Sequence, residues 1–391
     1  MTAMTLALPE EIELLRKAVR AFVENEAEPL AEQIERDARI PSILLKKAAE
    51  MGLFGLSIPP EYGGTGFGEL GSVVALEELS RTNGAVSMVI CPTAPAATIA
   101  LAGNEEQKQT YLPPLARGER LASFCLTEPT AGSDATGIRT SAVRKGDRYI
   151  LNGSKLYISR AAIAGTFIVT AVTDPARKAK GGITVFIVER EFPGFSVGSK
   201  DDEMGLRGSE SAEVVFQDCE VPAANVVGAV GGGFDVMRKI LDRARLWAAA
   251  RSVGASQRIL ELSLQYAVTR EQFGKPIGAF QAVRLKLADM ATLLHAGRLM
   301  LYQTARKIDQ GEEAVQEASM AKLFSSEAAG QIADMGVQIH GAMGFMKPTP
   351  VERFYRDVRA YRILDGTSDI QRLIIAGKLL RSHGLKVAVG E

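Results

Sequence analysis

The sequence predicts an α+β protein in which a sheet domain is enclosed between two helical ones. Three observations predict it. Apolar residues recur at helical spacing over roughly the first 120 residues. The stretch that follows is rich in β-branched residues and broken by turn signals. From Phe234 onward the helical spacing returns. Strands and helices do not alternate, which argues against a doubly wound nucleotide fold. The expected domains are residues 1–120 (helical), 121–230 (an antiparallel β domain) and 231–391 (a helical bundle), a division that suits 391 residues.

Each element has its own signal. Pro9 stands at a helix start, and Leu14, Leu15, Ala18, Phe22 and Val23 follow at helical spacing. "PSILLKKAAEMGLFGLSI" repeats that pattern and runs into the Pro/Gly loop "PPEYGGTGFGE". "GSVVALEELSRTNGAVSMVICPTAPAATIALAG" and "NEEQKQTYLPPLARGE" continue as helices. The strand candidates are "LASFCLTE", "SAVRKGDRYILNGSKLYIS", "TFIVTAVTD", "GITVFIVERE" and "SAEVVFQDCEVP", with "RKGDRY" and "LNGSK" as hairpin signals. The sheet is expected to end near Val227, before "GAVGGGF". Helices are expected over 234–269, 281–309, 314–341 and 351–362, and again from Ser368. The glycine runs "GGTGFG" and "GAVGGGF" miss the GxGxxG spacing of a dinucleotide site.

Lys plus Arg and Asp plus Glu both total 46, so the net charge is zero and no basic stripe suggests nucleic acid. No apolar run is read as long enough for a membrane span, and the N-terminus turns acidic too early for a signal or transit peptide. Cys91, Cys125 and Cys219 are far apart and fit free thiols in a reducing, bacterial cytoplasm. His295, His340 and His383 are scattered, which argues against a metal site.

Chemistry is suggested by several short stretches. "CLTEPTAGSDATG" (125–137) leaves a strand for a loop of hydroxyls and backbone amides that suits a phosphate or a polar cofactor edge, or an ordinary surface loop. "LYISRAA" (156–162) puts Tyr157 and Ser159 on the same face of a strand, two residues apart. "TREQFGKPIGAFQA" (269–282) joins two long helices, and "QIHGAMGF" (338–345) ends a third in glycine. In "RILDGTSDIQRL" (362–373), Asp365 precedes a glycine and a helix start. Local chemistry reads this as a turn with Thr367 or Ser368 as cap.

Together and in this order, "CLTEPTAGSD", "LNGSKLYIS", "REQFGKPIGAFQA", "QIHGAMGF" and "DGTSDIQR" resemble the acyl-CoA dehydrogenase family of FAD flavoproteins. The resemblance runs from "EEIELLRKAVRAFVE" to "DGTSDIQRLIIAGKLL", essentially end to end. It implies a helical, a β and a four-helix-bundle domain assembled as a homotetramer. It implies flavin contacts by Phe124, Leu126, Thr127 and Ser133, and by Tyr157 and Ser159, which stand where the family usually has Trp and Thr. From a neighbouring subunit it implies Arg270, Gln272, Gln281, Gln338, Gly341 and Ala342; Thr367 and Asp369 match two further flavin positions. A guanidinium at Arg270 suits a diphosphate, because it offers forked donors. For acyl-CoA it implies Ser133, Asp242, Arg245 and Gly366, with a salt bridge to Asp242 as the other reading of Arg245.

The family's base is usually a glutamate in "EGT", taking the α-proton while a β-hydride passes to flavin N5. The thioester carbonyl is polarised in part by the base residue's own amide. Here the position holds Asp365, one methylene shorter, and an ångström of misplacement costs about a hundredfold. The second base position known in the family falls on Ala244, which cannot serve. Asp365 is therefore read as the base, acting on an α-branched or cyclic acyl group that sits closer to it. The other readings are a variant reaction (1,4-elimination on a ring thioester, the reductase direction, or nitroalkane oxidase-like chemistry) and an inactive flavin-binding subunit. Leu364, where the family often has Tyr, points to a modified acyl pocket. Ala85 matches the arginine position of glutarate-specific relatives, which argues against a dicarboxylyl group. An electron-transfer flavoprotein is the expected acceptor.

Overall fold

The structure is a computed structural model that describes residues 7–385 apart from 92, 178–179 and 348. The N-terminal helices are α1 (Glu10–Phe22), α2 (Ala31–Asp37), α3 (Ser42–Glu50), α4 (Gly68–Leu79), α5 (Gly84–Ile90), α6 (Thr93–Ala102) and α7 (Glu105–Ala116). The helical stretch expected over "GSVVALEELSRTNGAVSMVICPTAPAATIALAG" is three helices, α4, α5 and α6. The first break comes at Asn83, whose side chain accepts from Ala85 N and caps α5. The span Gly84–Ala102, 19 residues, is apolar and long enough by composition to cross a bilayer, against the sequence expectation. It is divided between α5 and α6 and is 69% buried within the protein, as core helices are. Buried acids in α4 each have a partner: Glu78 accepts from Arg20, Glu77 from Arg298 and Tyr302, and Glu69 from Trp247 Nε1 at 2.6 Å.

The sheet comprises β1 (Ala122–Cys125), β2 (Ser141–Lys145), β3 (Arg148–Ile158), β4 (Thr166–Val172), β5 (Ile183–Glu189), β6 (Phe195–Lys200), β7 (Ala212–Pro222) and β8 (Val226–Val227). Its order is β6-β7-β3-β2-β4-β5-β8, with β1 alongside β4. The expected antiparallel sheet is in fact mixed: β1 runs parallel to β4, and β2 meets β4 in parallel at Ser141↔Val172. Parallel pairing needs a long crossover, and the β2–β3 hairpin supplies it between β1 and β4.

"RKGDRY" is a hairpin: Lys145 pairs with Arg148 around Gly146, at φ 62°. "LNGSK" is not, because residues 151–155 lie inside β3. There the register slips between Leu151 and Gly153, and Gly153 sits at φ 145°. A Cβ at Gly153 would stand 2.8 Å from Thr140 Cα, so the glycine marks a bulge and a close backbone approach. Gly153→Ala is expected to destabilise the protein by about 2 kcal/mol through backbone strain and overlap, read as a lower midpoint in urea.

The C-terminal helices are α8 (Gly233–Thr269), α9 (Gln281–Asp309), α10 (Val315–His340), α11 (Ala342–Phe345), α12 (Pro350–Ala360) and α13 (Ser368–Ser382). α8, α9 and α10 pack on one another, α13 lies against α10, and α4 is buried against α8 and α9. One apolar core therefore runs through both helical regions, while the sheet keeps its own around Phe167, Phe186 and Val214. At Gly254 the α8 backbone approaches α4 so closely that a Cβ would meet Glu77 O at 1.9 Å.

Candidate active site

Asp365 lies in the turn between α12 and α13 at φ 55°, with Gly366 at φ 91°. Left-handed backbone is tolerated by aspartate better than by most residues, and by glycine best. Thr367 caps α13, accepting from Ile370 N at 3.3 Å, so the local turn reading holds as well. The turn is clamped from below by two buried side chains. Lys322 Nζ on α10 donates to Gly366 O at 2.7 Å, and Gln371 Nε2 donates to the same oxygen at 2.9 Å. Among the described residues the Asp365 and Gly366 N–H groups have no acceptor, so both are free to donate to a ligand oxygen.

Burial pushes the Asp365 carboxyl up, opposed by the charges of Arg251, Lys322 and Arg245. Burial also lowers Lys322, to about 8, although Asp365 attracts its proton. On α8, Arg245 Nη1 pairs with Asp242 Oδ1, the alternative that the sequence left open, while Arg245 Nε has no partner. The structure thus brings Asp242, Arg245, Asp365 and Gly366 together. Ala244, on the same helix, is buried and presents only a methyl.

A second cluster lies at the end of β3. Phe124, Leu126, Thr127 and Ser159 are half-buried, and Leu156 N donates to Thr127 O at 2.9 Å. Tyr157 is 70% exposed at φ 58°, and Ser159 lies beyond the strand. The register shifts between Lys155 and Ile158, so simple alternation does not place Tyr157 and Ser159 on one regular face. The loop carrying Ser133, itself exposed, is anchored by Glu128. That carboxylate accepts from Arg139 N, Thr140 N and the fully buried Lys155. Burial raises Glu128, but Lys155 and these donors hold it below the usual range. An exposed ring held in strained backbone, beside hydroxyls on a pinned loop, fits the face of a flat cofactor.

The remaining residues assemble at one end of the bundle. Arg270, Gln272 and Gln281 are exposed on the α8–α9 connection, and Gln338, Gly341 and Ala342 are exposed at the end of α10. Tyr266 and His340 stack at 4.5 Å and join the two groups. Thr367 is half-buried as the α13 cap, and Asp369 is exposed.

Sequence reasoning missed Lys322, Gln371, Lys155, Glu128 and Arg251. The available signal was a charged residue among alanines and serines, as in "SMAKLFSSEAAG" and "LWAAARSVGAS".

Comparison with known proteins identifies the family. Family models match residues 9–119 (acyl-CoA dehydrogenase, N-terminal domain), 123–219 (middle domain) and 231–380 (C-terminal domain). The chain is 43% identical to an acyl-CoA dehydrogenase of Bacillus subtilis, covering 95% of this chain and 98% of that one. It is 41% identical to the acryloyl-CoA reductase (NADH) of Anaerotignum propionicum, covering 97% of each. The butyryl-CoA dehydrogenase structure from Megasphaera elsdenii superposes with a TM-score of 0.94 at 35% identity, over 97% of this chain and 100% of that one. With all three domains matched in order and the fold shared along its length, the chain belongs to the acyl-CoA dehydrogenase family.

Proposed function

We propose that the chain dehydrogenates an acyl-CoA thioester between its α and β carbons, with Asp365 taking the α-proton. The observation that carries this reading is the Asp365 turn: a carboxylate raised by burial toward the working range, beside two unpaired N–H groups. Those N–H groups can donate to the thioester oxygen as charge develops on it. FAD, the family's cofactor, supplies the acceptor for the β-hydride. Phe124, Leu126, Thr127, Ser133, Tyr157 and Ser159 would hold it, with Thr367 and Asp369. Arg270, Gln272, Gln281, Gln338, Gly341 and Ala342 would complete the site from a second copy, as the family resemblance implies. Ser133, Asp242 and Arg245 would hold the CoA thioester. The acyl group is α-branched or cyclic in this reading, bringing the α-carbon to the shorter side chain.

Anaerobic mixing of the purified protein with straight, branched and cyclic acyl-CoA thioesters tests this reading, with flavin absorbance as the readout. Bleaching by one class supports it; reduction by a nitroalkane and by no thioester overturns it. The similarity to an acryloyl-CoA reductase favours a second reading, operation in the reductase direction. Faster reoxidation of the reduced protein by an enoyl-CoA than by an electron-transfer flavoprotein would identify it.

The assembly in this reading is a homotetramer. Phe273 is 92% and Phe345 78% exposed, on the two connections that carry the exposed flavin residues. Gel filtration with light scattering is expected to give a tetramer, and Phe273→Asp with Phe345→Asp is expected to dissociate it and weaken flavin retention. A wild-type monomer that retains flavin would contradict the shared site.

A further inference from the structure

Arg251 is a buried guanidinium that nothing in the chain pairs. It lies on α8 and is 5% exposed; its Nε has no hydrogen-bond partner, and among the described residues it makes no ion pair. A guanidinium keeps its proton at physiological pH, so this is a permanent charge without a counter-ion contact. Stability alone does not explain it, because an unpaired buried charge is costly and an apolar side chain would pack there at less cost. One carboxylate nearby is also without a partner: half-buried Asp365, in the turn that α8 faces with both Arg245 and Arg251.

Burial pushes the Asp365 carboxyl up, and three cations oppose it: Arg251, Lys322 and Arg245. Two of the three are already engaged. Arg245 Nη1 pairs with Asp242 Oδ1, which largely cancels its charge. Lys322 Nζ on α10 donates to Gly366 O, has Glu327 within reach of its charge, and is lowered to about 8 by burial. Only Arg251 brings a whole, uncancelled charge. The other groups around it leave that charge intact. Cys91, which follows α5, is a thiol pushed up to about 12 by burial and so is neutral. Arg160, which follows β3, is a second cation, bonded to Ala122 O and Met88 O. Burial also raises the Tyr361 hydroxyl at the end of α12, and Asp357 beside it accepts from Gly84 N and Leu206 N. Glu69, beyond Cys91, accepts from Trp247 Nε1.

On the acyl-CoA reading above, we infer that Arg251 is a positioning residue for the dehydrogenation: from α8 it supplies the uncompensated positive charge that Asp365 needs as a base, acting across a gap through its field and not through a hydrogen bond. The gap has a chemical reason. A carboxylate locked to a guanidinium is a poor proton acceptor, and a buried one with no free cation near it stays protonated. An unpaired arginine set back from an unpaired aspartate avoids both. The role holds for a straight, branched or cyclic acyl group alike, since Arg251 acts on the base and not on the chain.

The test follows flavin reduction by the reducing thioester across pH in Arg251→Met and Arg251→Lys. Arg251→Met is expected to move the acid limb up by about one pH unit, the low end for loss of a neighbouring opposite charge. Reduction then slows about tenfold below the limb, and the loss shrinks as pH rises. Arg251→Lys keeps a charge that is still protonated at those pH values, and is expected to restore the wild-type limb. The infrared carboxyl band that Asp365→Ala removes reads the same titration without turnover, and is expected to shift with the limb. The thermal midpoint of Arg251→Met is expected to equal or exceed that of the wild type, because an unpaired buried charge has been removed. A limb and band that stay in place in Arg251→Met overturn the inference and leave the dehydrogenase reading intact. So does a loss that is equal at every pH, shared by Arg251→Lys and accompanied by a lower thermal midpoint, since Arg251 would then be structural. Bleaching by no thioester at all overturns the dehydrogenase reading itself, and the inference with it.

Discussion

Asp365→Ala is expected to leave flavin binding and assembly unchanged while slowing thioester-driven flavin reduction by about a hundredfold to ten-thousandfold, the range for loss of a general base. The side chain makes no hydrogen bond or ion pair among the described residues, so its removal breaks no structural contact. The pH dependence follows from the same carboxyl. Only its ionised form accepts a proton, and burial raises its pKa against the pull of Arg251, Lys322 and Arg245. The rate should therefore fall with decreasing pH through a value above the ordinary aspartate range. Asp365→Glu adds a methylene into a turn that already positions the shorter acid, and a loss of about a hundredfold is expected for the true substrate. Stopped-flow reduction across pH checks all three expectations. A fast Asp365→Ala variant would move the base elsewhere.

The second large effect is expected at Lys322. Its ammonium is fully buried, bonds Gly366 O, and lies close enough to Asp365 to lower that carboxyl. Lys322→Met keeps the length and removes the charge. Gln371 still reaches Gly366 O, so the turn is loosened and not lost. A rate loss of about tenfold to a hundredfold is expected from displacement of the base. The diagnostic readout is the pH profile: without the nearby cation the carboxylate is less favoured, so the acid limb moves to higher pH. A purely structural lysine would change thermal stability and leave that limb in place. In the proposed reading Lys322 is a positioning residue, acting through Asp365.

The same two sites show how far the letters reach. The helices from Phe234 onward were readable because apolar spacing at 3.6 residues is a local property, and α8, α9 and α10 lie within a residue or so of their expected ends. The β2–β3 turn was readable for a similar reason: Gly146 supplies the positive φ that a tight turn needs. "LNGSK" carries the same turn letters but forms a bulge inside β3, because Thr140, just before β2, presses on Gly153 from a segment that local sequence does not mention. The parallel pairing of β1 with β4 was likewise unreadable, since register across a crossover depends on partners far apart in sequence.

By itself the sequence determined the order of helices, sheet and helices, the motifs that resemble one flavoprotein family, and the identity of Asp365 as the acid in the turn. Those features depend on backbone periodicity and on residues close together in the chain. Only the tertiary structure decided that Lys322 and Gln371 clamp that turn, that Glu128 and Lys155 pin the loop carrying Ser133, and that Arg245 is paired while Arg251 is not. Burial and charge pairing depend on which side chains packing brings together, and a buried arginine and an exposed one are written with the same letter.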